Sequence, residues 1–254
     1  MNITLIQTTL AWEDVDANLV LLAKQLTSIT AQTDLILLPE MFTTGFSMNA
    51  QQLAETMDGR TIDWMQKQAK KYDAVVAGSF IVKEKEKFYN RLIWMYPNGE
   101  YKQYDKRHLF TMAEEHLTYE AGKEKLIVEW KGWKICPLIC YDLRFPVWSR
   151  NVENYDLLIY LANWPATRSF HWKTLLQARA IENQSFIVGL NCVGKDGNGY
   201  YYTGDSCIIS PAGEWLFQAA DRKVVHTQNI SRSDLDTLRK KLPFLKDQDT
   251  FSIK

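Results

Sequence analysis

The apolar positions at the start of the chain follow two periodicities in alternation. The segment "ITLIQTTL" is a predicted β-strand, and "DANLVLLAKQLTSI" then repeats apolar residues at helical spacing, with Asp16 as the expected N-cap. The next segment, "TDLILLPE", is a short and almost wholly apolar strand, which is typical of a sheet covered on both faces. The chain therefore opens with a β-α-β pattern.

The rest of the chain continues this mixture of helices and strands. A second helix is predicted at "TIDWMQKQAKKYD" and a last, polar helix from about Ser233. Between them the patterns predict these segments: a strand "AVVAGSFIV", a hairpin "NRLIWMYPNGEYKQYDK", a hairpin "KLIVEWKGWKICPLIC", a strand "YDLLIYLANW", a helix "FHWKTLLQARAIENQ", and strands "SFIVGLN", "SCIIS", "WLFQAA" and "KVVHTQNI".

The strands are of two kinds, and this difference predicts the fold class. Several are apolar on both faces, whereas others alternate, as in "KVVHTQNI". Two mixed sheets packed face to face with helices outside would accommodate both kinds, which is a four-layer α-β-β-α sandwich. No linker, charge block or low-complexity segment divides the chain, so we expect residues 1–254 to form a single domain.

Composition narrows the classes of function. Thirty basic residues balance thirty acidic ones, which gives no support to a general affinity for nucleic acid or for an anionic membrane. The first residues lack a secretion signal and no apolar run reaches about 18 residues, so we expect a cytosolic protein. Four cysteines are too few for disulfide bonds to stabilise a chain of 254 residues, so thiol chemistry is favoured over disulfides.

Three polar residues lie at the ends of predicted strands, where packing of an apolar core does not require a polar side chain. Glu40 follows the apolar run "DLILLP", Lys106 follows the second strand of a hairpin, and Cys140 ends "KICPLIC" directly before a charged loop. Ligand sites of α/β folds collect at such carboxyl ends of strands. Each residue also has an ordinary interpretation: a solvated acid, a surface lysine, and a cysteine that packs as a small apolar side chain.

Other interpretations of the cysteines are weaker. Cys136 and Cys140 would point to the same face of a strand, with Pro137 interrupting its ladder, and Cys192 and Cys207 lack neighbours at zinc-site spacing. A cysteine–histidine pair would draw on one of four histidines, of which His108 is the best placed, although it could equally orient its loop. The loop "GKDGNG" lacks the lysine and hydroxyl that end a phosphate-binding loop.

The motifs around the three residues resemble those of a known family. "LLPEMF", "YDKRHLF" and "CYDLRFP", in this order, resemble the glutamate, lysine and cysteine motifs of the nitrilase superfamily, and "ANWP", "HWKTLLQARAIENQ" and the "GDS" at Asp205 extend the likeness. Within it the chain looks most like ω-amidases, which hydrolyse α-keto acid amides such as 2-oxoglutaramate and 2-oxosuccinamate. The resemblance implies a small-molecule amide substrate, no metal or organic cofactor, and at least a homodimer.

The resemblance also implies roles for the three residues. Cys140 would be the nucleophile and Glu40 the base that takes its proton, because a free thiol is mostly protonated at neutral pH. Lys106 and the backbone N–H of Tyr141 would stabilise the oxyanion of the intermediate.

Members of this superfamily often carry a second glutamate between the lysine and the cysteine. The stretch "MAEEHLTYEAG" offers Glu114, Glu115 and Glu120, and the spacing to Ala121-Gly122, where Pro-Gly is commoner, matches Glu115 best. Glu115 would then orient Lys106.

Three further residues are candidates for the substrate pocket. Arg144 could bind a substrate carboxylate through its fork of N–H groups or belong to a structural ion pair. Trp164 and Phe110 could line the pocket or simply pack in the core.

Three functional hypotheses follow. The first is an ω-amidase that uses Glu40, Lys106 and Cys140. The second keeps this machinery for another C–N substrate: an aliphatic amide, an N-carbamoyl amino acid or a nitrile. The third is a non-catalytic binding module.

Overall fold

The computed structural model describes residues 1–253, which form two β-sheets and seven α-helices. The strands of the first sheet are β1 (Asn2–Gln7), β2 (Leu35–Leu37), β3 (Val75–Glu84), β4 (Lys87–Met95), β5 (Tyr101–Asp105) and β13 (Val224–Asn229). Those of the second are β6 (Val128–Trp130), β7 (Trp133–Ile139), β8 (Leu157–Ala162), β9 (Phe186–Asn191), β10 (Val193–Lys195), β11 (Tyr201–Ile209) and β12 (Trp215–Ala220).

Both sheets are mixed. The first has the order β13-β1-β2-β3-β4-β5, in which β1, β2 and β3 run parallel and the outer pairs are antiparallel. The second has the order β10-β11-β9-β8-β7-β6, with β12 paired to β11 and a parallel centre of β7, β8 and β9. Each sheet thus has a parallel centre whose strands end at one edge, where α/β folds place ligands.

The longer α-helices pack against the sheets, and three of the seven have only four residues each. The seven are α1 (Val15–Leu26), α2 (Ala50–Leu53), α3 (Arg60–Tyr72), α4 (Glu115–Thr118), α5 (Pro146–Ser149), α6 (Ser169–Asn183) and α7 (Arg232–Lys241). Leu22 of α1 and Met65 of α3 are buried in one apolar cluster with residues of β2, β3 and β4. Trp172 and Leu176 of α6 belong to a larger cluster that also contains side chains from both sheets, such as Leu5 and Leu138.

This layering confirms the predicted four-layer α-β-β-α sandwich. The central strands β2, β3, β8 and β9 consist largely of buried apolar residues, because both of their faces are covered. Strand β13 does not alternate as expected: residues 224–228 are half-buried in succession, because it is an edge strand of the first sheet.

Two local predictions are wrong. The N-cap of α1 is Asp14 rather than Asp16, because Asp14 is extended and its carboxylate accepts the N–H of Ala17 at 3.0 Å. Pro137 does not interrupt the ladder of β7, since its register with Ile159 of β8 is continuous. The other neighbour, β6, pairs only with residues 133–135, so the proline lies beyond that pairing.

No α-helix within residues 1–253 combines the length and the apolar character that crossing a membrane requires.

Candidate active site

Two tight turns at the ends of central strands present the predicted glutamate and cysteine. Glu40 follows β2, and the next residue, Met41, has a φ of 44°. Cys140 follows β7 directly, has a φ of 42° and starts a 3₁₀-helix over Cys140–Arg144. Side chains seldom occupy this left-handed region, and such strained residues concentrate at functional sites. The turn after β7 gives Cys140 a place on the wall of a cavity although the residue is only 9% exposed.

Lys106 joins two carboxylates that are distant in sequence. Its Nζ lies 2.9 Å from Glu40 Oε1 and 2.9 Å from each carboxylate oxygen of Glu115, and all three residues are buried. Burial alone opposes a charge on the ammonium, but Glu115 and Glu40 outweigh it and raise the pKa of Lys106. The raised pKa favours a charged Lys106 at neutral pH.

Two asparagines that the sequence did not single out hold Glu40. Asn90 of β4 donates its Nδ2 to Glu40 Oε1 at 2.8 Å, and the backbone N–H of Asn163 donates to Oε2 at 2.8 Å. Both asparagines are buried. The only signal in the sequence was an asparagine within or directly after an apolar strand, in "FYNRLIW" and in "YLANWP".

Of the three candidate acids before the cysteine motif, the structure brings one to Lys106. Glu115 begins α4, is fully buried and accepts the N–H of Phe110 at 2.5 Å. Burial raises the pKa of Glu115; Lys106 opposes this effect and Glu40 adds to it. Glu114 and Glu120 are exposed, and Glu120 pairs with Lys87 at 3.2 Å.

The surroundings of Cys140 keep its thiol protonated. Burial and the neighbouring Glu40 carboxylate raise the pKa of Cys140, and the ammonium of Lys106 only partly opposes them. The Sγ lies 3.9 Å from the backbone oxygen of Asn163. Of the two means of activating a thiol, a base or a cationic environment, this geometry favours the base.

Asp142 connects the loop after β5, which carries Lys106, to the loop after β7, which carries Cys140. Its carboxylate accepts the Tyr104 hydroxyl at 2.7 Å, the N–H of Ile139 at 3.0 Å and the N–H of His108 at 3.1 Å. The His108 ring also contacts Asp142 through Nδ1 at 2.7 Å and stacks on Phe145. His108 therefore orients these loops, and its bonds give no support to a cysteine–histidine pair.

The predicted pocket residues border one cavity of about 380 Å³. Cys140, Lys106, Tyr141, Arg144, Trp164 and Phe110 all line it, together with residues that the sequence did not indicate, including Arg168 and Phe46. The amide of Tyr141 is in the first turn of the 3₁₀-helix, where N–H groups lack partners within the helix.

Arg144 has no ion-pair partner among residues 1–253. Its guanidinium lies 4.9 Å from the ring centroid of Trp164 and contacts Nδ1 of His171 at 3.0 Å. The structural ion pair that the sequence left open is thus not formed with any described residue.

The remaining cysteines are buried and unpaired. Cys136 and Cys207 lie in the core, and Cys192 donates its thiol to Asn163 Oδ1 at 3.0 Å. In the described part of the chain, no three histidine, cysteine, aspartate or glutamate side chains group as potential metal ligands.

Known proteins share this sequence and fold. A model of the carbon-nitrogen hydrolase family matches residues 2–240. A protein of Escherichia coli (strain K12) named Omega-amidase YafV is 48% identical over 254 residues, covering 100% of this chain and 98% of its own. The 2-oxoglutaramate amidase of Bacillus subtilis (strain 168) is 38% identical over 220 residues, covering 84% of each chain.

A solved structure agrees with these relatives. XC1258 from Xanthomonas campestris, described as a CN-hydrolase superfamily protein with an arsenic adduct in the active site, matches with a TM-score of 0.98 at 43% identity, covering 100% of this chain and 99% of that one. The resemblance noted in the sequence motifs is thereby confirmed. The extent of the family match and the identity to full-length relatives show that this chain belongs to the carbon-nitrogen hydrolase family.

Proposed function

We propose that the protein is an ω-amidase, which hydrolyses the terminal amide of α-keto acid ω-amides such as 2-oxoglutaramate and 2-oxosuccinamate. The observation that carries the proposal is the shared cavity, in which Cys140 and Lys106 face the same space as the guanidinium of Arg144, which forms no ion pair within residues 1–253. A thiol beside a base suits acyl transfer, and a guanidinium suits a substrate carboxylate. Relatives named as omega-amidase and 2-oxoglutaramate amidase support this substrate class.

The first chemical step is attack of Cys140 on the amide carbon. Because the resting thiol is protonated, Glu40 takes the proton as the C–S bond forms. The hydrogen bonds from Asn90 and Asn163 hold the carboxylate of Glu40 in place for this transfer.

The carbonyl oxygen becomes an oxyanion in this step. The Lys106 ammonium and the N–H of Tyr141 stabilise it, and preorganised donors of this kind typically lower a barrier by about 3 kcal/mol each. Glu115 contributes by keeping Lys106 charged and in place.

The intermediate then collapses and is hydrolysed. The C–N bond breaks and Glu40 passes its proton to the departing nitrogen. Ammonia is released, and the acyl group remains bound to Cys140 as a thioester. Glu40 next takes a proton from water, whose oxygen attacks the thioester carbon. The C–S bond breaks, the thiol regains its proton, and the products are one dicarboxylate and one ammonia for each amide and water consumed.

A substrate panel tests the proposal. Release of ammonia is measured with 2-oxoglutaramate, glutamine, an aliphatic nitrile and an N-carbamoyl amino acid, with Cys140→Ala as the blank. We expect kcat/KM to be highest for 2-oxoglutaramate, by at least about 10-fold, since a site built for a substrate's polar groups discriminates strongly against analogues without them. Negligible turnover of 2-oxoglutaramate with turnover of another substrate would reassign the activity, and no turnover of any would favour a binding module.

We further propose that the enzyme acts in the cytosol as a homodimer and uses neither metal nor organic cofactor. Light scattering is expected to give about twice the chain mass of 29.5 kDa. Activity is expected to survive dialysis against a chelator, and its loss with recovery on adding a metal would contradict the proposal.

A further inference from the structure

The charges that line the cavity are not all available to a substrate. Lys106 is bound to Glu40 and Glu115. Asp196, the one acid on the cavity wall, accepts the N–H groups of Asn198 and Tyr200 at 2.9 Å each and the Tyr202 hydroxyl at 2.8 Å. Its carboxylate thus serves to organise its own loop.

Two guanidinium groups remain, and both rest on aromatic rings. Arg168 lies 5.3 Å from the ring centroid of Phe110, as Arg144 lies 4.9 Å from that of Trp164. Neither arginine pairs with a carboxylate of residues 1–253. Stacking on an aromatic face supports a guanidinium and leaves N–H groups at its edge able to bind a ligand. On Arg144, one terminal nitrogen also contacts His171 Nδ1 at 3.0 Å.

The backbone that carries Arg168 is well anchored. Arg168 ends a 3₁₀-helix over Ala166–Arg168, and its N–H donates to the oxygen of Pro165 at 3.0 Å. Its own carbonyl accepts the indole N–H of Trp164 at 2.8 Å. Trp164 thus supports both arginines, one through its ring face and one through its nitrogen.

We propose that Arg168 is a specificity-determining residue, which binds the anionic end of the substrate together with Arg144. The inference rests on the proposed function and extends it. An α-keto acid end presents three oxygens, two of the carboxylate and one of the keto group, which is more than the edge of a single guanidinium can satisfy. A second guanidinium on the same cavity wall supplies the missing donors and excludes amides whose far end is neutral.

A comparison of charged and neutral substrates tests this role. Arg168→Gln is expected to raise KM for 2-oxoglutaramate about 10- to 100-fold, the range expected on losing hydrogen bonds between charged groups, with kcat within about threefold. The same variant should leave kcat/KM for pentanamide, a neutral amide of equal chain length, unchanged. For Arg168→Lys, KM for 2-oxoglutaramate should lie between those of the wild type and Arg168→Gln, because lysine keeps the charge but lacks the paired N–H groups of a guanidinium.

The matched control is Arg222→Gln, which removes the same charge from an exposed position outside the cavity and should change neither substrate's kinetics. An unchanged KM in Arg168→Gln, or an equal loss with pentanamide, would overturn the assignment of Arg168.

A binding measurement separates this inference from the proposed activity. In a Cys140→Ala background, calorimetry with the dicarboxylate 2-oxoglutarate should show binding that weakens by a similar factor on adding Arg168→Gln. A wild-type enzyme that fails to hydrolyse 2-oxoglutaramate would overturn the proposed function, whereas Arg168-dependent dicarboxylate binding would still uphold the role of Arg168. Binding that is absent, or that is indifferent to Arg168→Gln, would overturn that role.

Discussion

Asn163 holds Glu40 by two hydrogen bonds from different parts of the residue. Its backbone N–H donates to Glu40 Oε2 at 2.8 Å, and its side-chain Nδ2 donates to the backbone oxygen of Glu40 at 2.6 Å. The two residues follow β2 of the first sheet and β8 of the second. This pair of bonds therefore connects the two sheets at the place where the proposed base must stay aligned with the thiol.

Removing the side chain of Asn163 should make the position of the proposed base, Glu40, less well fixed. Asn163→Ala keeps the backbone bond to Glu40 but loses the bond from Nδ2, and we expect kcat to fall about 10- to 100-fold with a smaller change in KM. Steady-state kinetics with 2-oxoglutaramate measure the effect. Asn229→Ala, at an exposed position outside the cavity, is the control and should behave as wild type. Equal losses in both variants would show that Asn163 has no special role.

Cys192 is expected to act through the same asparagine. Its thiol donates to Asn163 Oδ1 at 3.0 Å, which orients the amide so that Nδ2 faces Glu40. Cys192→Ala removes this donor and should lower kcat about 3- to 10-fold, whereas Cys192→Ser keeps a donor and should restore most of the rate. If the serine variant is as slow as the alanine variant, the thiol matters for packing rather than for orientation.

Replacing Lys106 should lower the free energy of unfolding, because two buried carboxylates surround it. Lys106→Met leaves Glu40 and Glu115 buried without a counter-charge, and breaking a buried ion pair in this way typically costs about 3–5 kcal/mol. Adding Glu115→Gln removes one of the two charges, so the double variant should recover part of the free energy of unfolding while remaining inactive. Urea denaturation and activity assays compare the two. A double variant less stable than Lys106→Met would contradict this account.

Cys140 should show no thiolate in the resting enzyme. Burial and the Glu40 carboxylate disfavour the anion, so the pKa of Cys140 lies well above the ordinary thiol value of 9.0 and the protonated form persists below that pH. The ultraviolet absorbance of thiolate, recorded as the difference between wild type and Cys140→Ala, should therefore stay flat up to pH 9.0. A thiolate signal that titrates near neutral pH would instead indicate activation by the Lys106 cation.

The predictions from the sequence succeeded where the physical cause is local. The apolar runs of β2, β3, β8 and β9 reflect burial on both faces, which leaves a direct trace in the order of residues. The N-cap of α1 was placed two residues late, since Asp14 and Asp16 are equivalent by residue type. Only the extended backbone at Asp14 separates them.

The functional residues that could be predicted from the sequence are likewise those with a distinctive local pattern. Glu40, Lys106 and Cys140 could be named because each stands in a short motif that resembles those of a known family. Asn90, Asn163 and Arg168 could not, because a single polar residue near the end of a strand or in a loop has no distinctive local pattern.

The sequence by itself determined the order of the four longer helices and of every strand except β10, the four layers, and the motifs that carry the proposed chemistry. It could do so because periodicity and short motifs are properties of neighbouring residues. The tertiary structure decided which of three glutamates meets Lys106, that burial and Glu40 raise the pKa of Cys140, and that Arg144 and Arg168 share its cavity. These outcomes depend on burial and on charges brought together from distant parts of the chain, since a pKa or an ion pair is set by the distances between atoms in the folded protein.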